Sequence, residues 1–256
     1  MSATPRLHVA PDLTAGATIS IDGDQAHYLS RVMRLGAGDA VRVFNGRDGE
    51  FAAEIVEAGK SVVRIALGER TREQATTPDV WLLFAPLKKD RTDFVVEKAV
   101  EMGVAEIRPV LTERTNAENV RVDRLGRLAV EAAEQTERLD VPPVREAQRL
   151  SAMLGEWPHG RVLIFADEAG DETGRPWGGD VGRAKPLADA LIEMADGPAA
   201  ILIGPEGGFS PAERSRLRAL PFVRTVGLGP RILRAETAAV AALALWQAVR
   251  GDWRSV

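Results

Sequence analysis

Short runs in which apolar and polar residues alternate fill the first seventy or so positions of the chain, a pattern typical of β-strands with one buried face. A single helix, from Asp24 to about Arg34, interrupts these runs. The pattern predicts a small β-barrel. Its predicted strands are Ala40–Phe44, Phe51–Val56 and Ser61–Leu67, and Gly46–Gly49 is the predicted turn between the first two.

Beyond Pro78 the pattern changes to apolar strands that alternate with longer helical stretches. Such alternation predicts an α/β domain with a mostly parallel sheet and helices on both faces. The polar segment Arg70–Thr77 is the predicted linker, so residues 1–72 and 73–256 are predicted to form two domains. The Gly/Pro-rich stretch 168–186 is predicted to be a mobile surface loop. The predicted elements are strands Val80–Phe84, Ala105–Val110, Ala199–Ile203 and Arg224–Leu228 and helices Asp90–Met102, Val122–Arg138 and Glu236–Val249.

Composition narrows the class of protein. The chain has no cysteine, which excludes disulfides, thiolate metal sites and a cysteine nucleophile and fits a reducing cytosol. Met1–Ala15 is polar and lacks the features of a signal peptide, and no long apolar span follows, so we expect a cytoplasmic protein without a membrane segment. A net charge of −4 argues against avid non-specific binding of nucleic acid and leaves room for a local basic patch.

Two late segments carry the most information. Ile201–Glu213 and Val226–Thr237 each run from an apolar strand through a Gly/Pro loop into a helix. Ligands of open α/β sheets bind beyond the carboxyl ends of the strands, so these two loops are predicted to share one pocket. In the first segment Ser210 is the predicted helix cap, Pro211 the first helical residue and Glu213 the capping-box partner.

Several side chains at these loops suggest chemistry. Gly204, Gly207 and Gly208 allow the backbone to approach a ligand closely. Arg234 lies at a helix start, where the helix dipole does not favour a cation. Two explanations for the position of Arg234 are open: a salt bridge to Glu206 or Glu236, or contact with a substrate.

A second basic loop, Lys88–Arg91, places three cations at the start of another helix. Asp90 is its predicted cap. A phosphate would offset the unfavourable position of the cations, and the alternative is a solvated charge run paired with Glu97 or Glu101.

Two helix faces complete the candidates. His27, Arg31 and Arg34 are three and four residues apart, so an α-helix places them on one face. Glu134 and Arg138 lie near the end of a helix that Pro142 stops. For both sets the alternative is an ordinary solvated surface.

These motifs resemble the ribosomal RNA small-subunit methyltransferases that make 3-methyluridine in 16S rRNA, within the SPOUT superfamily. Gly204-Pro-Glu-Gly-Gly208 and Leu228–Thr237 together carry the resemblance, and their pairing at this spacing is specific. Where related sequences often have two small residues between Gln135 and Arg138, this chain has Thr136 and Glu137. The resemblance covers nearly all of the chain and extends through His27–Arg34, Lys88–Arg91, Glu97, Lys98, Glu101–Gly103, Glu134, Gln135, Arg138, Val141 and Pro142.

The resemblance implies a C-terminal SPOUT domain with a trefoil knot and an N-terminal PUA-like β-barrel that binds RNA. It implies transfer of a methyl group from S-adenosyl-L-methionine to uridine N3 in 16S rRNA of the small ribosomal subunit. It also implies a homodimer with the pocket at its interface, and neither a metal nor DNA.

The resemblance also distributes roles among residues of this sequence. The catalytic candidates are Arg234 and Arg138, as stabilisers of a uracil anion, and Glu236 and Glu134, as bases. The RNA-binding candidates are His27, Arg31, Arg34, Asn45, Arg47, Lys88, Lys89 and Arg91. The cofactor-binding candidates are Leu202, Ile203, Gly204, Pro205, Glu206, Gly207, Gly208, Leu228, Gly229, Ile232, Leu233, Thr237, Pro86 and Leu87.

Three other functions remain open at the level of sequence. A related enzyme on the same knot methylates ribose 2′-hydroxyls of tRNA or rRNA. A Rossmann-fold dehydrogenase fits less well, because neither glycine loop reads G-x-G-x-x-G and both lie late in the chain. A non-catalytic RNA-binding module would bind rRNA without S-adenosylmethionine.

Overall fold

The computed structural model describes residues 4–59, 61–116, 120–167 and 184–255. Contacts between Cα atoms divide the chain into two units. Most of the predicted surface loop 168–186 lies outside the described residues; its last two residues form a short strand. The first unit comprises Met1–Thr76 and Val130–Val141, and the second comprises Thr77–Ala129 and Pro142–Val256.

The first unit contains an open five-stranded sheet in the order β1-β3-β4-β5-β2. Alternate residues of its strands, such as Val63, Ile65 and Leu67, point into one apolar core. The three predicted strands are confirmed. The last of them continues to Arg72, so the linker prediction was wrong for residues 70–72, which pair with the preceding strand. The strands are β1 (Arg6–His8), β2 (Thr18–Asp22), β3 (Ala40–Phe44), β4 (Glu50–Ala58) and β5 (Val62–Arg72).

The helix of the first unit differs from the prediction. α1 (Gly23–His27) begins after Asp22, so Asp24 is not its cap, and it continues as a π-helical turn, Tyr28–Val32. Leu35 N–H bonds to the Leu29 carbonyl, six residues back, and Arg34 has a φ of 57°. Arg34 therefore lies beyond the helix, in the left-handed region, and does not share an α-helical face with His27 and Arg31.

A buried ion pair holds the first unit together. Arg6 Nε donates to Glu50 Oε2 at 2.6 Å, and their side chains are 6% and 0% exposed. The Arg6 guanidinium also donates to the carbonyls of Ala133, Glu134 and Arg138. The first two belong to the last turn of a helix, where carbonyls lack intrahelical partners. Burial would raise the pKa of Glu50, but the hydrogen bond and charge of Arg6 bring that pKa below its ordinary value.

We expect Arg6→Met to lower the free energy of unfolding by about 3–5 kcal/mol, because Glu50 then stays buried without its main partner. Arg42→Met is the control, since Arg42 is 39% exposed and contacts Glu50 only at 3.5 Å, and we expect a loss of about 1 kcal/mol or less. Urea unfolding at neutral pH, above the ordinary pKa of Glu50, measures both. Equal losses of unfolding free energy in the two variants would contradict the assignment of Arg6 as the main partner of Glu50.

The second unit is built on a seven-stranded, fully parallel sheet in the order β10-β12-β9-β11-β6-β7-β8. The predicted parallel sheet is confirmed. Three of its strands were not predicted: the two-residue strands β8 and β10, and β9, although β9 is an apolar run, Val162–Ala166. The strands are β6 (Val80–Phe84), β7 (Glu106–Leu111), β8 (Gln148–Arg149), β9 (Val162–Ala166), β10 (Lys185–Pro186), β11 (Ala199–Ile203) and β12 (Val223–Gly227).

Six further helices accompany this sheet in the described part of the chain. The second of them, α3, ends at Gln135 rather than Arg138, and Glu137 just beyond it has a φ of 59°. No described helix is long and apolar enough to cross a membrane. The helices are α2 (Lys89–Glu101), α3 (Val122–Gln135), α4 (Leu150–Gly155), α5 (Leu187–Glu193), α6 (Pro211–Ala219) and α7 (Ala235–Val249), and a 3-10 turn, Asp252–Ser255, follows.

The strand order decides where the late loops meet. β11 lies between β6 and β9, and β12 lies on the other side of β9. All of these strands are parallel, so their carboxyl ends share one edge of the sheet. The loops that follow β6, β9, β11 and β12 therefore start side by side.

Candidate functional site

A cavity of about 460 Å³ opens at this edge of the sheet. Its walls come from the ends of three neighbouring strands, β9, β11 and β12, and from the first turns of α2, α6 and α7. All of its lining residues belong to the second unit. They are Arg91, Ala166, Asp167, Ile203, Gly204, Pro205, Glu206, Gly208, Phe209, Arg214, Leu228, Leu233, Arg234, Ala235 and Ala238.

The loop after β11 forms one wall. A Cβ at Gly204 would lie 2.5 Å from Cε2 of Phe209, so only glycine lets this ring pack against the backbone there. Gly208 has a φ of 66°, in the left-handed region that favours glycine. The ring of Phe209 in turn meets Phe165 of β9 edge-on, with centroids 5.0 Å apart. The glycines thus shape an aromatic wall.

The start of α6 fixes this loop. Ser210 Oγ accepts from the Glu213 N–H, and Glu213 Oε2 accepts from the Ser210 N–H, which confirms the predicted capping box. Arg114 donates to the Gly207 carbonyl at 3.0 Å. The wall is held by contacts on both sides, which favours a preformed site.

Arg91 ties the loops together. Its guanidinium pairs with Glu206 after β11, and its Nε lies 3.7 Å from Glu236 Oε1 in the first turn of α7. Arg91, which was predicted to contact RNA, lines the cavity, and its contact with RNA stays a prediction. The other carboxylate oxygen of Glu236, Oε2, is buried and has no hydrogen-bond partner among the residues described.

Arg234 occupies the N-cap position of α7 and lines the cavity. The two carboxylates proposed as its salt-bridge partners pair with Arg91 instead. Within the described ranges Arg234 forms no ion pair. The interpretation as a simple salt bridge was therefore wrong, and the guanidinium remains available to a ligand.

The basic loop before α2 has a different cap from the predicted one. The N-cap residue is Lys88, and Asp90 lies within the first turn. Thr92 Oγ1 accepts from the Leu87 N–H and donates to the Leu87 carbonyl, which closes the loop in place of a cap. Lys88 and Lys89 are exposed and do not line the cavity.

The sequence analysis missed two charged residues in the wall. Asp167, directly after β9, is 4% exposed and accepts hydrogen bonds from Arg214 and Arg218, both at 2.6 Å. Arg214 also lines the cavity. The signal was present, because an apolar run, Val162–Ala166, is followed at once by a carboxylate. The other lining residues that were missed are Ala166, Phe209, Ala235 and Ala238.

Seven predicted cofactor contacts do not line the cavity. Leu202 is fully buried in β11, Ile232 is 71% exposed, and Gly229 is exposed with a φ of 111°. Both loops meet at the cavity as predicted. The hydrophobic periodicity and the spacing of the motifs did not show which of their residues face the cavity. The seven are Leu202, Gly207, Gly229, Ile232, Thr237, Pro86 and Leu87.

The RNA-binding candidates in the first unit differ in their exposure and in their partners. His27, Arg31 and Arg34 are exposed. Asn45 is buried, and its amide donates to the Pro11 carbonyl and Asp48 while its oxygen accepts from two turn N–H groups. This gives Asn45 a structural role in the turn, with no donor left for a phosphate. Arg47 is half-exposed and pairs with Asp12.

Glu134 and Arg138 belong to the first unit. Glu134 Oε1 accepts from the His8 N–H at 2.9 Å. Burial, and to a lesser extent the charge of Glu131, raises the pKa of Glu134 above its ordinary value. Arg138 donates twice to Asp140 and is 8% exposed. Their catalytic roles stay predictions.

Comparisons with known proteins point the same way. Residues 73–247 match the family model described as an RNA methyltransferase domain, and residues 21–67 match the one described as an RNA methyltransferase PUA domain. The ribosomal RNA small subunit methyltransferase E of Rickettsia conorii is 30% identical over 93% of both chains.

Two solved structures share the fold over nearly the whole chain. A methyltransferase from Legionella pneumophila, in complex with the cofactor SAM, superimposes with a TM-score of 0.84 at 27% identity, covering 97% of this chain and 99% of its own. The ribosomal RNA small subunit methyltransferase E of Neisseria gonorrhoeae, bound to S-adenosyl methionine, gives 0.83 at 28% identity, covering 96% and 98%.

Proposed function

Because this chain belongs to the family of RNA methyltransferases whose methyltransferase domain is joined to a PUA domain, we propose that it transfers the methyl group of S-adenosylmethionine to N3 of a uridine in 16S rRNA. The observation that carries the proposal is the single cavity into which both motif loops and Arg234 converge. The rRNA methyltransferase relatives over the full length support the choice of substrate.

The cavity suits this cofactor. Its volume lies within the ~300–1,000 Å³ usual for small-molecule sites. The cavity offers an adenine ring apolar surface from Ile203, Phe209, Leu228 and Leu233. Asp167 and Arg214 add polar groups to its wall. When bound, S-adenosylmethionine supplies an electrophilic methyl group on its sulfonium centre.

Methylation of uridine N3 requires removal of the N3 proton. The N3–carbon bond forms as the sulfur–carbon bond breaks, and the proton passes to a carboxylate. Glu236, whose buried Oε2 lacks a partner among the described residues, is one candidate base. Glu134, with its raised pKa, is the other, since a higher pKa makes a carboxylate a better base at neutral pH. Arg234 stabilises the charge that develops on the uracil oxygens.

In this proposal the two domains have separate roles. Residues 1–72 form the PUA-like barrel that holds RNA, and residues 73–256 form the methyltransferase domain. The protein acts in the cytoplasm as a homodimer, for which the exposed apolar side chains Ile232 and Leu245 provide contact surface. The trefoil knot stays a prediction.

Charge reversal at Arg31 and Arg34 tests the role of the barrel. We expect the double variant Arg31→Glu/Arg34→Glu to bind small-subunit rRNA at least about tenfold more weakly, because two phosphate contacts become repulsive. The Kd for S-adenosylmethionine should not change. Arg64→Glu, an exposed arginine of the same unit, is the control. Equal losses of RNA and cofactor affinity, or an equal effect at Arg64, would count against this division.

The proposed activity is tested by incubating the protein and labelled S-adenosylmethionine with small ribosomal subunits from cells that lack the enzyme. Digestion of the rRNA and mass spectrometry identify the labelled nucleoside. We expect 3-methyluridine. A 2′-O-methylated nucleoside would instead establish the ribose methyltransferase, and binding of rRNA without any methylation or cofactor binding would establish a non-catalytic module.

A further inference from the structure

A second cavity lies on the same edge of the parallel sheet, beyond the ends of β7 and β8. Its volume is about 230 Å³, half that of the first cavity. We propose that it holds one nucleotide of the substrate RNA, a few positions from the methylated uridine. This inference rests on the proposed function. The cavity is lined by Leu111, Thr112, Glu113, Arg149, Leu150, Ser151, Leu154, Ala212, Glu213 and Arg216.

The position follows from α6, which separates the two cavities. Arg214 of this helix lines the first cavity, whereas Glu213 and Arg216 line the second. An α-helix with its side chains is about 10–12 Å across, a span that a few unstacked nucleotides cover. An RNA strand whose uridine enters the first cavity therefore reaches the second with a nearby nucleotide.

The charges suit a phosphate. Arg149 and Arg216 are both exposed at the rim. Arg216 donates only to the Ser151 carbonyl, at 3.4 Å, and neither arginine forms an ion pair in the ranges that the structure describes. Two guanidinium groups without carboxylate partners, at one rim of an acidic protein with a net charge of −4, favour a polyanion.

The remaining lining residues suit a base. Leu150 and Leu154 are buried and present an apolar floor against which a base face packs. Glu213 is already engaged, since its two oxygens accept from the Ser210 and Glu113 N–H groups. The exposed Glu113 carboxylate offers an acceptor for an amino group on a base edge. The cavity thus combines an apolar floor, a carboxylate acceptor and two arginines without carboxylate partners. This combination matches a nucleotide better than it matches a free phosphate.

The test uses the full-length protein and the double variant Arg149→Ala/Arg216→Ala. Arg224→Ala is the matched control, because Arg224 is an exposed arginine near the amino end of β12 whose guanidinium contacts only carbonyls. The measurements are KM and kcat for small ribosomal subunits, the salt dependence of binding to the rRNA, and the Kd for S-adenosylmethionine.

We expect the double variant to raise KM at least about tenfold and to reduce the slope of log K against log salt by about 0.7 for each arginine removed. The cofactor Kd should stay at the wild-type value. A double variant that matches Arg224→Ala in KM and salt slope, while the wild-type protein methylates normally, would overturn this inference alone. A wild-type protein that fails to methylate rRNA would overturn the proposed function and this inference with it.

Discussion

Replacement of Arg234 by alanine is expected to lower kcat for methyl transfer by about 10²–10³-fold, the loss typical of removing one preorganised donor to a developing charge. Arg234 lines the cavity, and the two carboxylates that the sequence suggested as its partners, Glu206 and Glu236, pair with Arg91. Its guanidinium is therefore available to a substrate. Single-turnover assays with small ribosomal subunits measure the rate.

The control for this variant is Arg231→Ala. Arg231 is exposed, lies in the same loop and does not line the cavity, so we expect nearly normal turnover. Calorimetry should show that both variants keep the wild-type Kd for S-adenosylmethionine. Turnover near the wild-type rate in Arg234→Ala would remove this residue from the mechanism.

The second large effect is expected at Gly204. An alanine Cβ there would lie 2.5, 2.9 and 3.1 Å from Cε2, Cδ2 and Cζ of Phe209, so the ring must move out of the cavity wall. Overpacking of this kind costs about 1–3 kcal/mol. If the strain is relieved only by distorting the site, the Kd for S-adenosylmethionine rises by about 10- to 100-fold.

Gly207→Ala separates this packing effect from a general requirement for glycine in the loop. A Cβ at Gly207 would meet only Arg114, at 3.8 Å, which is ordinary van der Waals contact. We expect this variant to bind the cofactor within about threefold of wild type, since it displaces nothing. Equal weakening of cofactor binding by Gly207→Ala and Gly204→Ala would contradict the role of Phe209 packing against Gly204.

Local patterns predicted much of this molecule. The alternating runs located β3, β4 and β5, and the Ser210–Glu213 pattern located the start of α6, because a capping box depends only on residues three positions apart. The Gly/Pro loops at strand ends located the cavity, because ligands of open parallel sheets bind at that edge.

The sequence did not reveal which charged side chains pair with one another across the fold. Arg91 and Glu206 are more than a hundred positions apart, and their pairing depends on β11 lying beside β6. Periodicity carries no information about the lateral order of strands, so the sequence suggested Arg234 as the partner of Glu206. The same limit hid Asp167, whose importance follows from β9 lying between β11 and β12.

The glycine loop shows a second limit. The sequence indicated that Gly204 and Gly208 let the backbone approach a ligand closely, but the structure gives the two glycines different roles. Gly208 has a positive φ, whereas Gly204 makes room for the ring of Phe209. In the first unit, the π-helical turn places Arg34 off the predicted helix face, because a widened turn depends on packing that residue spacing alone does not reveal.

A crystal structure of the protein with S-adenosylhomocysteine is the most direct measurement of the central claim, that loops from neighbouring strand ends enclose one methyl-donor site. We expect the ligand among Ile203–Phe209, Leu228–Ala235 and Asp167, with Arg234 beside the sulfur. A ligand bound elsewhere on the chain, with this cavity closed or empty, would contradict the account.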